Sequence, residues 1–206
     1  ISVILDPEVT LPTPEWLFLS TGVRAADHAI ETYLSIDANA YTDGACLQAL
    51  RLLGEGLPRV KDDPTDLEAR LKCLMGAWMS MTGVITGSRL GASHAIGHIL
   101  GGSAGVPHGH TSCIMLPYVL NWNESVNGER QKEVAIAMGR PGVAAGQVLD
   151  EFISGLDMPR RIRDAGVKES DLLRLAENCM LDDWTYSNPR EIRSPEQVME
   201  ILRMAY

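Results

Sequence analysis

"TDLEARLKCLMGAWMSMTGVI", Thr65 to Ile85, is the stretch that decides the fold class. Its large apolar residues Leu67, Leu71, Leu74, Met75, Trp78, Met81 and Ile85 recur every three or four positions. That is the repeat of a helix, about 3.6 residues per turn, and it is incompatible with the alternation of a strand. Thr65 and Glu68 precede it at capping-box spacing, and Gly76, Ala77 and Gly83 are interleaved with the large side chains. Close packing of the apolar stripe into a core is the expectation.

The same periodicity spreads outward in both directions. Thr13, Pro14 and Glu15 offer a capping hydroxyl, a proline for the first helical position and an early acid. "SPEQ" at Ser194–Gln197 is a second capping box, again with proline at its first turn. Further helices are expected at about 43–58, 91–100, 110–123 with a kink at Pro117, 129–138, 143–154, 158–165, 170–180 and 195–205. Period-2 alternation is scarce, and no unit of repeat-protein length recurs, so the fold class is all-α: one helical bundle over residues 11–206. Residues 1–10, with the apolar "ISVILDP", read as a linker or a residual strand from a preceding domain.

Composition narrows the chemistry. The chain has 206 residues, 45% of them apolar, and a formal net charge of −9. The basic residues form no extended run, so nucleic acid and anionic membrane surfaces are excluded as partners and a small-molecule substrate is favoured. Cys46, Cys73, Cys113 and Cys179 lie far apart without a CxxC pair, which fits buried thiols in a reducing compartment and a cytoplasmic location. No apolar run approaches membrane-spanning length. Two glycine-rich runs, "GEGLPR" at Gly54 and "GGSAG" at Gly101, lack the preceding strand that a phosphate loop needs, so the chain carries no visible dinucleotide site.

Four of the five histidines fall in "LGASHAIGHILGGSAGVPHGH", Leu90 to His110, and the fifth, His28, lies in "TGVRAADHAIETY". His94 and His98, four apart on a short apolar helix, project from one face one turn apart. His108 follows in a glycine-flanked loop, and Glu31 after His28 is either an orienter of a histidine or an ordinary helix acid. Converging imidazoles would suit zinc or iron with an open position, or an acid–base site; the spacing leaves both open. His110, beside Thr111 and Ser112, reads as a capping or surface residue.

"TGVRAADHAIETYLSIDANAYTD", "HAIGHILGGSAGVPHGHTSCIMLPYVLNWN" and "NPREIRSPEQVMEIL" together resemble the C-terminal domain of the iron-containing (group III) alcohol dehydrogenase family, whose relatives include maleylacetate reductases, glycerol dehydrogenases and dehydroquinate synthases. The resemblance runs from about Asp6 to Tyr206. It implies the helical half of a two-domain oxidoreductase, with NAD or NADP bound mainly by a Rossmann-like N-terminal domain absent from this chain and a homodimeric assembly. The absent phosphate loop and the opening on Ile1 instead of Met agree with that expectation.

Carried over position by position, the family's metal-ligating histidines fall on His28, His94 and His108. The histidine near the nicotinamide, tied to proton relay, falls on His98. The family's fourth ligand, an aspartate four residues before the first histidine, is replaced by Arg24. A guanidinium has no lone pair for a metal. Asp27, next to His28, is expected to turn to a different side of the helix and to neutralise Arg24 only in part.

Two readings of the site follow. In one, three histidines hold iron or zinc without the aspartate. In the other, which is favoured, the metal is gone and Arg24 supplies the positive charge, as the resemblance to the metal-free maleylacetate reductases implies. Beside these stands a non-catalytic reading, a truncated helical module used for dimerisation or interaction. A stand-alone hydrolase ranks lowest because no HExxH motif is present.

Overall fold

The computed structural model describes residues 2–206. Ten α-helices make up the described chain: α1 Glu15–Leu34, α2 Ala40–Asp62, α3 Leu67–Ser80, α4 Thr82–Ile85, α5 Ala92–Ala104, α6 His108–Ala137, α7 Ala145–Gly155, α8 Leu172–Cys179, α9 Asp183–Tyr186 and α10 Pro195–Ala205. Among the described residues there is no strand, as the missing alternation predicts. Residues 2–6 carry no regular structure, and among the described residues no helix is long and apolar enough to cross a membrane.

Two apolar clusters divide the molecule. The first gathers α1, α2, α3, α7 and one face of α6 with its C-terminal end around Leu19, Ile30, Leu50, Leu53 and Leu149; the second gathers α5, another face of the first half of α6, α8 and α10 around Ile96, Ile114, Met115 and Leu202. Helix α6 belongs to both. It runs as one element through Pro117 and is broken at Asn127, where φ −135° and ψ 20° leave the helical region. The break falls between the helices expected at 110–123 and 129–138, and the kink expected at Pro117 is absent, the chain keeping helical geometry through the proline. The helix expected at 158–165 is reduced to a 3₁₀ turn, Ile162–Ala165.

Helix α3 contradicts the expectation for its apolar stripe. Trp78 is 55% and Ile85 in the following α4 75% exposed, while the side that packs carries Ala69, Cys73, Gly76, Ser80 and Gly83. These small residues are also spaced by fours and threes; Ala69, Cys73 and Gly76 meet Gly56, Leu53 and Ala49 on α2, and Gly83 meets Thr32 on α1. A Cβ at Gly76 would come within 2.8 Å of Leu53 Cγ, and one at Gly56 within 2.7 Å of Cys73 Sγ. Small side chains let the two helices approach closely, and close approach excludes the bulky stripe from the interface.

The caps differ in detail from those expected. Thr65 is not the cap of α3; the Asp66 carboxylate accepts from Ala69 N at 3.0 Å instead. Helix α1 begins at Glu15 with no side-chain cap, and Ser194 occupies the cap position of α10 without a side-chain bond to its backbone.

Candidate functional site

Helix α1 presents Arg24, Asp27, His28 and Glu31 toward the start of α5, the i, i+3, i+4, i+7 set of one helix face. Asp27 therefore does not turn away from the site as expected from its place beside His28. It is fully buried, accepts from Ser93 Oγ at 2.8 Å, and feels both His94 and Arg24.

Glu31 settles the alternatives left for it. Helix α5 opens on Gly91, whose lack of a side chain leaves the first N–H groups without a local cap. The Glu31 carboxylate, sixty residues upstream, accepts from the N–H groups of Gly91 at 3.0 Å, Ser93 at 2.9 Å and His94 at 3.2 Å. It also accepts from His94 Nδ1 at 2.7 Å. Burial pushes its carboxyl upward, and the three backbone donors oppose that. A carboxylate surrounded by donors at a helix N-terminus is held as the anion, so His94 carries its proton on Nδ1. Its Nε2 is then an acceptor, buried and without a partner.

The four rings converge as the spacing predicts. Ring centroids lie 4.6 Å apart for His28 and His94, 6.5 Å for His94 and His98, and 6.3 Å for His98 and His108, the last pair parallel to within 2°. Gly105, in the left-handed region at φ +70°, ends α5 and turns the chain so that α6 can begin at His108 beside the same cluster. His110 stands apart, edge-on to Trp16 at 5.6 Å.

Three features had no signal in the sequence. His98 Nδ1 lies 2.8 Å from Asp182 Oδ2, eighty-four residues away. Trp184 packs against His98 at 5.2 Å and His94 at 5.9 Å. Ser112 on α6 accepts from Arg24 Nη1 at 3.1 Å, which anchors the guanidinium across the site.

Electrostatics keep the inner rings neutral. Burial, with neighbouring histidines and Arg24 adding to it, lowers His28 to about 3 and, against the opposing charge of Asp27, His94 to about 4. Arg24 is 5% exposed, and desolvation lowers its pKa while Asp27 and Glu31 raise it; a guanidinium nevertheless stays charged. Arg24 Nε and Asp27 Oδ1 join His94 Nε2 as buried polar atoms without a partner. Buried orphans are rare in folded proteins, and three in one cluster mark a place built for a polar ligand. The cluster is closed by α1 and opens past His98 and His108, the more exposed rings.

Comparison with known proteins gives this geometry a family. The description "Fe-containing alcohol dehydrogenase family, C-terminal" matches residues 18–206. The chain belongs to the iron-containing alcohol dehydrogenase family. It is 32% identical to the 1,3-propanediol dehydrogenase of Citrobacter freundii over 98% of its own length and 54% of that protein. It is 30% identical to a maleylacetate reductase of Pseudomonas sp. strain P51 over 100% and 56% of the respective lengths. The crystal structure of the maleylacetate reductase from Rhizobium sp. strain MTP-10005 superimposes with a TM-score of 0.88 at 30% identity, covering 98% of this chain and 55% of that one. The chain thus spans about half the length of the family members it matches.

The iron in the family's name can be tested against these side chains. Neutral imidazoles and the free lone pair on His94 Nε2 suit a metal. Position 24 does not, because Arg24 offers no lone pair and lowers the proton affinity of His28, His94 and His108 alike. At about 4 Å and an effective dielectric near 20, a guanidinium opposes a divalent ion by roughly 8 kcal/mol, twice the figure for two unit charges. The residues do not fit a four-ligand iron centre.

Proposed function

We propose that this chain is the helical half of a nicotinamide-dependent oxidoreductase that interconverts a carbonyl and an alcohol, and that its substrate carries a carboxylate or another anionic group bound by Arg24. Residues 11–206 form the catalytic half in this reading, residues 1–10 lead in from a Rossmann-like domain, and that domain holds most of the NAD or NADP. The nicotinamide, when bound, supplies or accepts the hydride.

The observation that carries the reading is the state of Arg24. Its guanidinium is buried, close enough to His28, His94 and His108 to oppose their protonation, anchored to Ser112 through Nη1, with Nε unpartnered. A fixed cation in a water-poor site stabilises negative charge more strongly than one in solvent, and costs no reorganisation when that charge develops. It can therefore grip a carboxylate or steady a developing alkoxide oxygen without a metal. His94 Nε2 accepts a hydrogen bond from the substrate side, and His98 carries the proton to or from the oxygen.

The test is Arg24→Ala in the complete two-domain protein. The kcat/KM for a keto acid falls roughly 10- to 150-fold, the range of one to two charge-assisted hydrogen bonds, while that for a neutral aldehyde of the same size changes little. Equal losses on both substrates would overturn the anion-binding role. Elemental analysis of active protein purified without chelator should find well under one equivalent of iron and zinc; a full equivalent would return the site to metal chemistry.

A further inference from the structure

We propose that Asp182 is the positioning residue for His98: it fixes the imidazole in the tautomer with its proton on Nδ1, so that Nε2 is the atom that exchanges a proton with substrate. The inference deepens the reading above and rests on His98 as the proton carrier.

Both Asp182 oxygens are committed. Oδ1 accepts from Trp184 N at 2.9 Å and caps the short helix α9, while Oδ2 lies 2.8 Å from His98 Nδ1. A carboxylate can only accept, so with a neutral ring the bond requires Nδ1–H and leaves the lone pair on Nε2. No hydrogen bond joins that nitrogen to the described residues, and the His98 side chain is 36% exposed on the open side of the cluster.

The support is rigid. Ser187 Oγ donates to Leu90 O at 2.6 Å, and Asn188 Oδ1 accepts from Ala92 N at 3.1 Å, which ties the far end of this segment to the start of α5. Asn188 is held in turn by reciprocal amide bonds with Asn123 at 2.7 and 3.1 Å. Trp184 blocks rotation of the His98 ring by packing on it at 5.2 Å. The segment from Asp182 to Asn188 is therefore clamped at both ends against the helix that carries the histidine.

In the oxidative direction the alcohol O–H bond breaks and its proton passes to His98 Nε2. The carbinol C–H bond breaks with its electron pair as hydride goes to NAD(P)+, and the carbonyl forms. The imidazolium left behind faces Asp182 through Nδ1–H. In the reductive direction Nε2–H returns the proton to the oxygen as hydride arrives from NAD(P)H.

The amide variant Asp182→Asn separates this role from a structural one. Its Oδ1 can still cap Trp184 N, since asparagine is as good a cap as aspartate. The group that then faces His98 is an NH₂ donor, which demands an acceptor at Nδ1 and so the opposite tautomer. Nitrogen NMR on the 206-residue chain labelled in histidine, with the rings neutral, reads the tautomer directly. The expected result is Nδ1–H at His98 in the unmodified protein and Nε2–H in Asp182→Asn.

In the complete two-domain protein the same variant lowers kcat about 10²- to 10⁴-fold with KM changed by less than about threefold, because proton transfer is lost and binding is kept. The analogous amide replacement in the serine-protease triad, a worked case of this effect, costs about 10⁴ in kcat.

An Nε2–H ring in the unmodified chain, or an unchanged tautomer in the variant, overturns the proposal whether or not the variant is fully stable. A tautomer switch with kcat within about twofold overturns the positioning role in the reaction. Absence of any nicotinamide turnover in the unmodified two-domain protein would overturn the oxidoreductase reading while leaving the tautomer assignment to be judged by NMR.

Discussion

Helices α3 and α5 are close in length, fourteen and thirteen residues, and they bury opposite things. Helix α3 hides glycine, alanine, serine and cysteine, with Arg70 near its start bonded to Pro64 and Thr10, and shows Trp78 and Met75 to solvent. Helix α5 hides His94 and Ser93 beside Ala95 and Ile96. In α3 the face that is buried is the one that lets a neighbouring backbone come nearest. In α5 polar side chains are admitted because each finds a partner from another element, Glu31 for His94 and Asp27 for Ser93. Hydrophobicity alone ranks neither helix correctly; distance of approach decides one and satisfied polarity the other.

The contrast can be broken hardest at Glu31. Glu31→Ala removes the acceptor of three backbone N–H groups and of His94 Nδ1 at once, and should cost about 3–5 kcal/mol, measured by denaturant unfolding. A loss under about 1 kcal/mol would mean that α5 is capped in another way.

Acid probes the same side of the comparison. His28, held down to about 3 in the folded chain from an ordinary 6.5, binds a proton in the unfolded state first. Its contribution is therefore present above pH 6.5, and stability falls as pH drops from there toward 3. The slope should be about 1.4 kcal/mol per pH unit from this one ring, and His28→Gln should flatten the pH dependence of unfolding by that amount. An unchanged slope in the variant would place the neutral ring elsewhere.

On the α3 side, Gly83→Val should cost about 1–3 kcal/mol, because a Cβ there would fall 2.1 Å from Thr32 Cγ2. Trp78→Ser, on the exposed stripe of α3 just before it, should change unfolding by less than about 0.5 kcal/mol. A larger loss from Trp78 than from Gly83 would reverse the account of which face packs.

Much of this was legible in the sequence because it is local. Periodicity gives the helices, and the two histidines one turn apart on α5 with a third after the Gly105 turn give three members of the cluster. The buried side of α3 is written there too, as 69, 73, 76, 80 and 83, in the same rhythm as the apolar stripe; bulk drew attention to the wrong row. Arg24 was visible as a departure from the family's aspartate, but its anchor on Ser112 was not, since no spacing relates α1 to the first turn of α6. Asp182 was invisible for the same reason: a polar residue in a turn acquires meaning only when the fold carries it to His98. The break at Asn127 lies in the gap left between the helices expected at 110–123 and 129–138, whereas the kink expected at Pro117 is absent because the core buries that proline within a continuous helical stretch.

The carboxylate of Glu31 also ties the order of events in folding to the assembly of the histidine cluster. Helix α5 cannot be properly started by its own residues, so the rings acquire fixed places only once the α2–α3 hairpin has brought the chain back to α1. Amide protons of Gly91, Ser93 and His94 should therefore exchange with solvent only through global opening, on the same timescale as the deepest residues of α1. A domain wired this way holds the two imidazoles of α5 in place only while α1 is packed against that helix.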